Sequence, residues 1–89
     1  YLADTAWVPY GTKDPTALKA RIHAIVGWLA PQVDVLVVAC NTSAALMRNH
    51  WPTSLPVLDP ITATRQAFAT QNRGKLAVLA TPNTVASQA

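Results

Sequence analysis

Glutamate is absent from this sequence: its four acidic residues are all aspartates, Asp4, Asp14, Asp34 and Asp59. The seven lysines and arginines are scattered, so the net charge of +3 reflects missing acid rather than a basic stripe, and nucleic acid is not expected as a partner. A single cysteine, Cys40, excludes an internal disulfide framework and fits a reducing cytoplasm. The three glycines, Gly11, Gly27 and Gly74, stand too far apart for G-x-G-x-x-G or a P-loop. No apolar run approaches the ~20 residues of a membrane span, so no membrane partner is expected, and no signal peptide is legible. A phosphatase-type thiol loop needs an arginine six positions after its cysteine; Leu46 stands there, and the nearest arginine is Arg48. No cysteine or histidine pair has zinc spacing, so no metal is expected. His23 reads as a surface residue and His50 as a residue at a helix C-terminus, which leaves no histidine beside Cys40 for a Cys-His-Asn hydrolase.

What is present is a globular composition, 51% hydrophobic with the apolar residues in periodic segments, enough to build a core. The stretch Val33–Thr42 dominates. It opens as an apolar run interrupted only by Asp34, the pattern of a strand buried on both faces of a parallel sheet. It stops on Cys40, Asn41 and Thr42, and helix-forming sequence follows. The chain's one thiol is therefore expected at the carboxyl end of a strand, where ligands bind in open α/β sheets. The start of a helix also carries partial positive charge, which favours a thiolate in its neighbourhood.

The remaining segments alternate. Tyr1–Asp4 reads as the end of a strand, and Thr5–Gly11 as a loop closing on Pro9-Tyr10-Gly11, where proline fixes φ and glycine permits a positive one. Asp14-Pro15 predicts a helix start, and Leu18, Ile22, Ile25 and Leu29 with Val26 mark its apolar face; Trp28 is expected to pack. Val33–Ala39 is the central strand. Asn41 or Thr42 caps a helix running to about His50. Pro56–Leu58 is a short strand, and Asp59-Pro60 opens a helix that buries Ile61, Thr64, Ala67 and Phe68 and stops at Asn72-Arg73-Gly74. Lys75–Ala80 is a further apolar strand, and Thr81-Pro82-Asn83-Thr84 turns into a last helix. This alternation predicts an α/β fold, an open parallel sheet with flanking helices. Because the chain begins and ends inside expected elements, residues 1–89 are expected to be part of one domain, truncated at both ends. Parallel strands gather Thr5–Gly11, Cys40–Thr42, Asp59 and Thr81–Thr84 along one rim. One thiol, an amide, several hydroxyls and backbone N–H groups there suit a small ligand bearing carboxylates and an ammonium.

Three motifs then carry a family resemblance: Ala3-Asp4-Thr5-Ala6 with Pro9-Tyr10-Gly11, Val37-Val38-Ala39-Cys40-Asn41-Thr42, and Thr81-Pro82-Asn83-Thr84. Together, in order and spacing, they resemble bacterial glutamate racemases of the cofactor-independent aspartate/glutamate racemase family, across essentially the whole chain. Ala-Cys-Asn-Thr alone is shared with aspartate racemases, whereas Pro-Tyr-Gly points to the glutamate enzymes. The resemblance implies that the full-length protein interconverts L- and D-glutamate with two cysteines on opposite faces of the substrate Cα, supplying D-glutamate for peptidoglycan. Cys40 matches one of the two. Pro9, Tyr10, Gly11, Asn41 and Thr42 match substrate-binding positions, and Thr81 and Thr84 fall in a threonine-containing substrate loop. No cofactor is implied, glutamate is the implied partner, and the full-length protein has a homodimer among its expected forms. The family's Asp-Ser motif would precede Tyr1 and its second cysteine, in Gly-Cys-Thr-His, would follow Ala89, so this chain alone is not expected to racemise. Two other readings stay open at this point: an aspartate or hydantoin racemase, and a non-catalytic α/β ligand-binding module in which Cys40 is inert.

Overall fold

In the computed structural model, which describes residues 1–48, 50–71 and 74–89, three of the helices begin in one way: a capping oxygen, then proline at the first helical position. The first helix, α1 (Pro15–Leu29), is capped by Asp14, whose carboxylate accepts from the Ala17 N–H at 2.8 Å. The second, α2 (Asn41–Met47), has no proline and is taken up below. The third, α3 (Pro60–Ala69), is capped by Asp59, which accepts from the Thr62 N–H at 2.9 Å. The fourth, α4 (Pro82–Ser87), is capped by Thr81, whose hydroxyl accepts from the Thr84 N–H at 3.4 Å. Proline at this position loses no hydrogen bond because its N–H would be unpaired anyway, and each cap satisfies one orphan donor.

Two short strands, β1 (Leu36–Val37) and β2 (Val57–Leu58), pair in parallel with α2 between them in sequence. Leu36 stands opposite Val57 and Val37 opposite Leu58, and the ladder is made by Leu36 N–H to Pro56 O and Val38 N–H to Leu58 O. The expected α/β character is therefore present, in a reduced sheet. Of the expected strand Val33–Ala39, Leu36 and Val37 form strand. Tyr1–Asp4 is not a strand end: the Thr5 N–H bonds Ala3 O around Asp4 at φ −83°, ψ 73°, a tight three-residue turn. Lys75–Ala80 is not a strand either, and all of it is exposed. Its apolar pattern states a preference, but pairing needs a neighbouring strand, and among the described residues the sheet consists of β1 and β2. The Cα radius of gyration, 13.8 Å, accordingly exceeds the ~12 Å of a compact chain this long.

The core is built where α1 meets β1 and α2. Leu18, Ile22 and Val26 recur along one face of α1 and are buried with Leu36 and Met47, and Trp7, Tyr10, Leu29, Val33, Leu46 and Val57 pack around them. Several expectations of burial fail. Trp28 is 62% exposed. Thr64, Ala67 and Phe68 on α3 are exposed, and Ile61 is half-buried. Helix α2 ends at Met47 rather than near His50, since Arg48 takes a left-handed conformation (φ 44°) that stops it. Helix α3 gives way at Thr70, before the expected stop; Gly74 does adopt φ +85°, while Asn72 and Arg73 lie outside the described residues.

Candidate active site

Cys40 is itself the N-cap of α2. Its backbone is extended, and its Sγ accepts from the Ser43 N–H at 3.4 Å. The expectation that Asn41 or Thr42 caps this helix is thus corrected: both lie within α2, as its first residues. Oxygen side chains are the preferred caps, and sulfur, a weak acceptor, takes the role here because the chain leaves β1 with Cys40 at the half-in position. The thiol is half-buried and unpaired in any disulfide. Asn41 is exposed beside it, and Thr42 is buried at 3% exposure.

Thr42 leads to the next motif. Its hydroxyl lies 2.8 Å from that of Thr81, which lies 2.9 Å from that of Thr84. Three hydroxyls from α2 and α4 are thereby strung together, although Thr42 and Thr81 are 39 residues apart in sequence.

Tyr10 and Gly11 complete the grouping. Pro9 enters through a cis Val8–Pro9 bond and is exposed, and Tyr10–Thr12 forms a single 3-10 turn. Gly11 is buried against Thr81. A Cβ on Gly11 would fall 2.6 Å from Thr81 Cβ, so glycine is required by close approach and not by the positive φ expected from the sequence. The Asn83 amide, one residue into the same motif, donates to Tyr10 O at 3.1 Å and to Lys13 O at 2.9 Å.

The Tyr10 hydroxyl donates to Asp4 Oδ2 at 2.5 Å, and Arg21 of α1 donates through Nε and Nη2 to both oxygens of the same carboxylate, at 2.9 and 2.8 Å. The paired guanidinium, then the tyrosine hydrogen bond, hold the Asp4 carboxyl down at about 2. Burial, then the hydrogen bond to Asp4, push the Tyr10 phenol well above its ordinary value, with a smaller upward push from Cys40 nearby. Asp4 raises Arg21 in turn. Trp7 is flanked by two cations, with Arg21 at 5.6 Å and Lys13 at 6.0 Å from the ring centroid. Nothing in the sequence marks this network: Asp4 stands within a motif, and Arg21 is one of seven scattered basic residues.

Of the sequence-derived site residues, the structure joins Thr42, Thr81, Thr84 and Gly11 directly, sets Cys40 and Asn41 at the start of α2 beside Thr42, and ties Tyr10 to this group through Asn83. A separate hollow of about 210 Å³, lined in part by Ala44, Arg48, Asp59 and Arg65, borders the other end of α2. It holds no thiol; the chain's one cysteine stands at the start of α2. Among the described residues no group of histidine, cysteine or aspartate side chains gathers as a metal site, and no helix is long and apolar enough to cross a membrane.

No protein-family model matches the chain. Among curated proteins it is similar, over its whole length, to amino-acid racemases. They are glutamate racemases: the one from Synechococcus sp. (strain CC9605) is 44% identical over all of this chain and 34% of its own length, and that from Syntrophus aciditrophicus (strain SB) is 40% identical over all of this chain and 34% of its own. The glutamate racemase from Gloeothece citriformis (strain PCC 7424) is 39% identical, again over all of this chain and 33% of its own length. The chain spans about a third of the length of these relatives. Over that third the likeness to glutamate racemases runs the whole length of this chain.

Proposed function

We propose that the protein containing this chain is a cytoplasmic glutamate racemase, that the chain forms part of one of its α/β domains, and that Cys40 is one of two proton-transferring thiols. The observation that carries this reading is the 44% identity to a glutamate racemase sustained over the entire chain. The gathering of Tyr10, Gly11, Thr42, Thr81 and Thr84 at the Cys40 end of α2 supports it.

In the proposed reaction the Cys40 thiolate takes the α-proton of one glutamate enantiomer. The electron pair of the broken C–H bond stays on Cα, delocalised towards the α-carboxylate. A second thiol, on a part of the protein outside this chain, delivers a proton to the opposite face and is left as the thiolate. In the reverse direction the two sulfurs exchange roles. A carbanion of this kind needs hydrogen-bond donors fixed in advance, and Asn41 with the three threonine hydroxyls and the backbone of Tyr10 and Gly11 are the groups proposed to bind and orient substrate. D-Glutamate made this way would serve peptidoglycan synthesis, and the full-length enzyme would act as a homodimer.

The test is Cys40→Ala in the full-length protein. Loss of an acid/base group lowers turnover by about 10²–10⁴-fold, and a two-base scheme requires that loss for L- and D-glutamate alike. Cys40→Ser should also be severely impaired, because a hydroxyl is a far weaker acid than a thiol. Near-normal racemisation of either enantiomer by Cys40→Ala would sink the assignment.

A further inference from the structure

The Tyr10–Thr12 turn is gripped from two sides. On its backbone, the Asn83 amide uses both of its hydrogens, one on Tyr10 O and one on Lys13 O, so a single side chain of α4 spans the turn from its first residue to the one after its last. On its side chain, the Tyr10 hydroxyl is bound to Asp4, which the Arg21 fork fixes to α1. Neither contact is local: Asn83 is 73 residues from Tyr10 and Arg21 is 17 residues from Asp4. The Asp4 side chain is 8% exposed, which makes its two partners hard to replace with water. Between the two grips, Gly11 lies flush on Thr81, whose hydroxyl is shared with Thr42 two residues after Cys40.

We infer that Asn83, Asp4 and Arg21 are positioning residues that clamp the Tyr10–Gly11 turn in register with Cys40. The inference rests on the racemase reading, in which Tyr10 and Gly11 bind substrate. Asn83 has a donor role that neither aspartate nor alanine can fill, since both of its partners are carbonyl oxygens. Arg21 acts as a fork, two donors on two oxygens, and lysine offers no equivalent geometry. Loosening either grip lets the turn shift against α2 and α4 while Cys40 and its helix cap stay in place. The turn binds substrate in the ground state and the transition state alike, so its loosening weakens binding more than it slows the proton transfer.

The experiment uses the full-length protein with Asn83→Ala, Arg21→Lys and Arg21→Ala. Steady-state racemisation is followed in both directions. In parallel, iodoacetamide alkylation of Cys40 is followed by peptide mass against rising glutamate. The expected result for Asn83→Ala is a KM raised about tenfold, as two lost hydrogen bonds imply, with kcat held within about threefold. The glutamate concentration that protects Cys40 should rise in step with KM. Arg21→Lys should keep part of the affinity that Arg21→Ala loses. A residue that only stabilised the fold would lower the melting temperature and the active fraction while leaving KM and the protecting concentration where they were; that outcome, or no change at all, overturns the clamp. If Asn83→Ala does not fold, Arg21→Lys is judged by the same criterion. Should the wild-type protein neither racemise glutamate nor be protected by it, the racemase reading itself falls and the clamp's role with it, an outcome distinct from an active enzyme whose variants keep their KM.

Discussion

Replacing Gly11 with alanine tests the packing at the centre of the site. The added Cβ would meet Thr81 Cβ at 2.6 Å and Thr81 Cγ2 at 2.8 Å, against the ~3.5–4.0 Å at which carbons rest. About 1 Å of relief is therefore needed, and Thr81 has little freedom to give it, being the cap of α4 and bonded to the hydroxyls of Thr42 and Thr84. Overpacking of this kind costs about 1–3 kcal/mol. If α4 backs away, the Thr42–Thr81 hydrogen bond is lost as well, adding about 1 kcal/mol. In a protein a few hundred residues long, each kcal/mol lowers the melting temperature by about 2–4 °C, so the expected fall is about 2–16 °C. Differential scanning calorimetry of the full-length protein measures it directly. Gly27→Ala is the contrasting change. That glycine lies inside α1, exposed, with nothing within 4 Å of its missing Cβ, and alanine there should stabilise by about 0.4–1 kcal/mol. If Gly11→Ala melts within about 1 °C of wild type, or the two alanines shift the transition in the same direction, the close approach to Thr81 is not what requires glycine.

Acid should loosen the Asp4 network over a defined range. The folded-state carboxyl sits at about 2 and the ordinary value is 3.8, so its contribution is complete above 3.8 and is lost as the pH falls through about 2. The stability gap between wild type and Asp4→Asn, measured by urea denaturation, should narrow across that interval; a gap constant from neutrality to pH 2 would count against the ion pair. The 89-residue chain expressed alone should self-associate and show no racemisation. Its exposed apolar residues include Val37 and Leu58, paired on one face of the two-strand sheet, and Leu76, Val78 and Leu79 in the unpaired segment, a surface that templates association. Analytical ultracentrifugation showing a monomer would contradict this.

How much could be read from the chain followed the range of the forces involved. Asp14-Pro15 and Asp59-Pro60 announce their helices because a cap and its N–H partner sit three residues apart, and both helices start where the sequence places them; α4 starts earlier, at Pro82, inside the stretch Thr81–Thr84 read as a turn. The stripe Leu18, Ile22, Val26 is equally local and equally legible. Strands are not. Lys75–Ala80 has the composition of one and lies unpaired, since a ladder is a property of two segments and the composition describes one. Gly11 shows the same limit from another side: its glycine is visible in sequence, but the reason for it is Thr81, which only the fold brings near. Cys40 as its own helix cap ran against the usual ranking of cap residues, which favours Asn41 and Thr42. The Asp4–Arg21–Tyr10 network left no pattern to find, because an aspartate, an arginine and a tyrosine at these separations are ordinary until α1 is laid beside the loop.

The hydroxyl string has a property that follows from counting its protons. Thr81 Oγ1 already accepts the Thr84 N–H, which leaves it one lone pair and one hydrogen for its two hydroxyl neighbours, Thr42 and Thr84. It must donate to one and accept from the other. The string therefore has two polarities, running from Thr42 to Thr84 or back, and they interconvert by rotating three O–H bonds with no heavy atom displaced. In one, Thr84 has the hydrogen to spare; in the other, Thr42 does. A wall built this way can offer a proton at one end or a lone pair at the other without acquiring a charge, so its polarity can answer to a carboxylate or an ammonium placed against it while the backbone stays still.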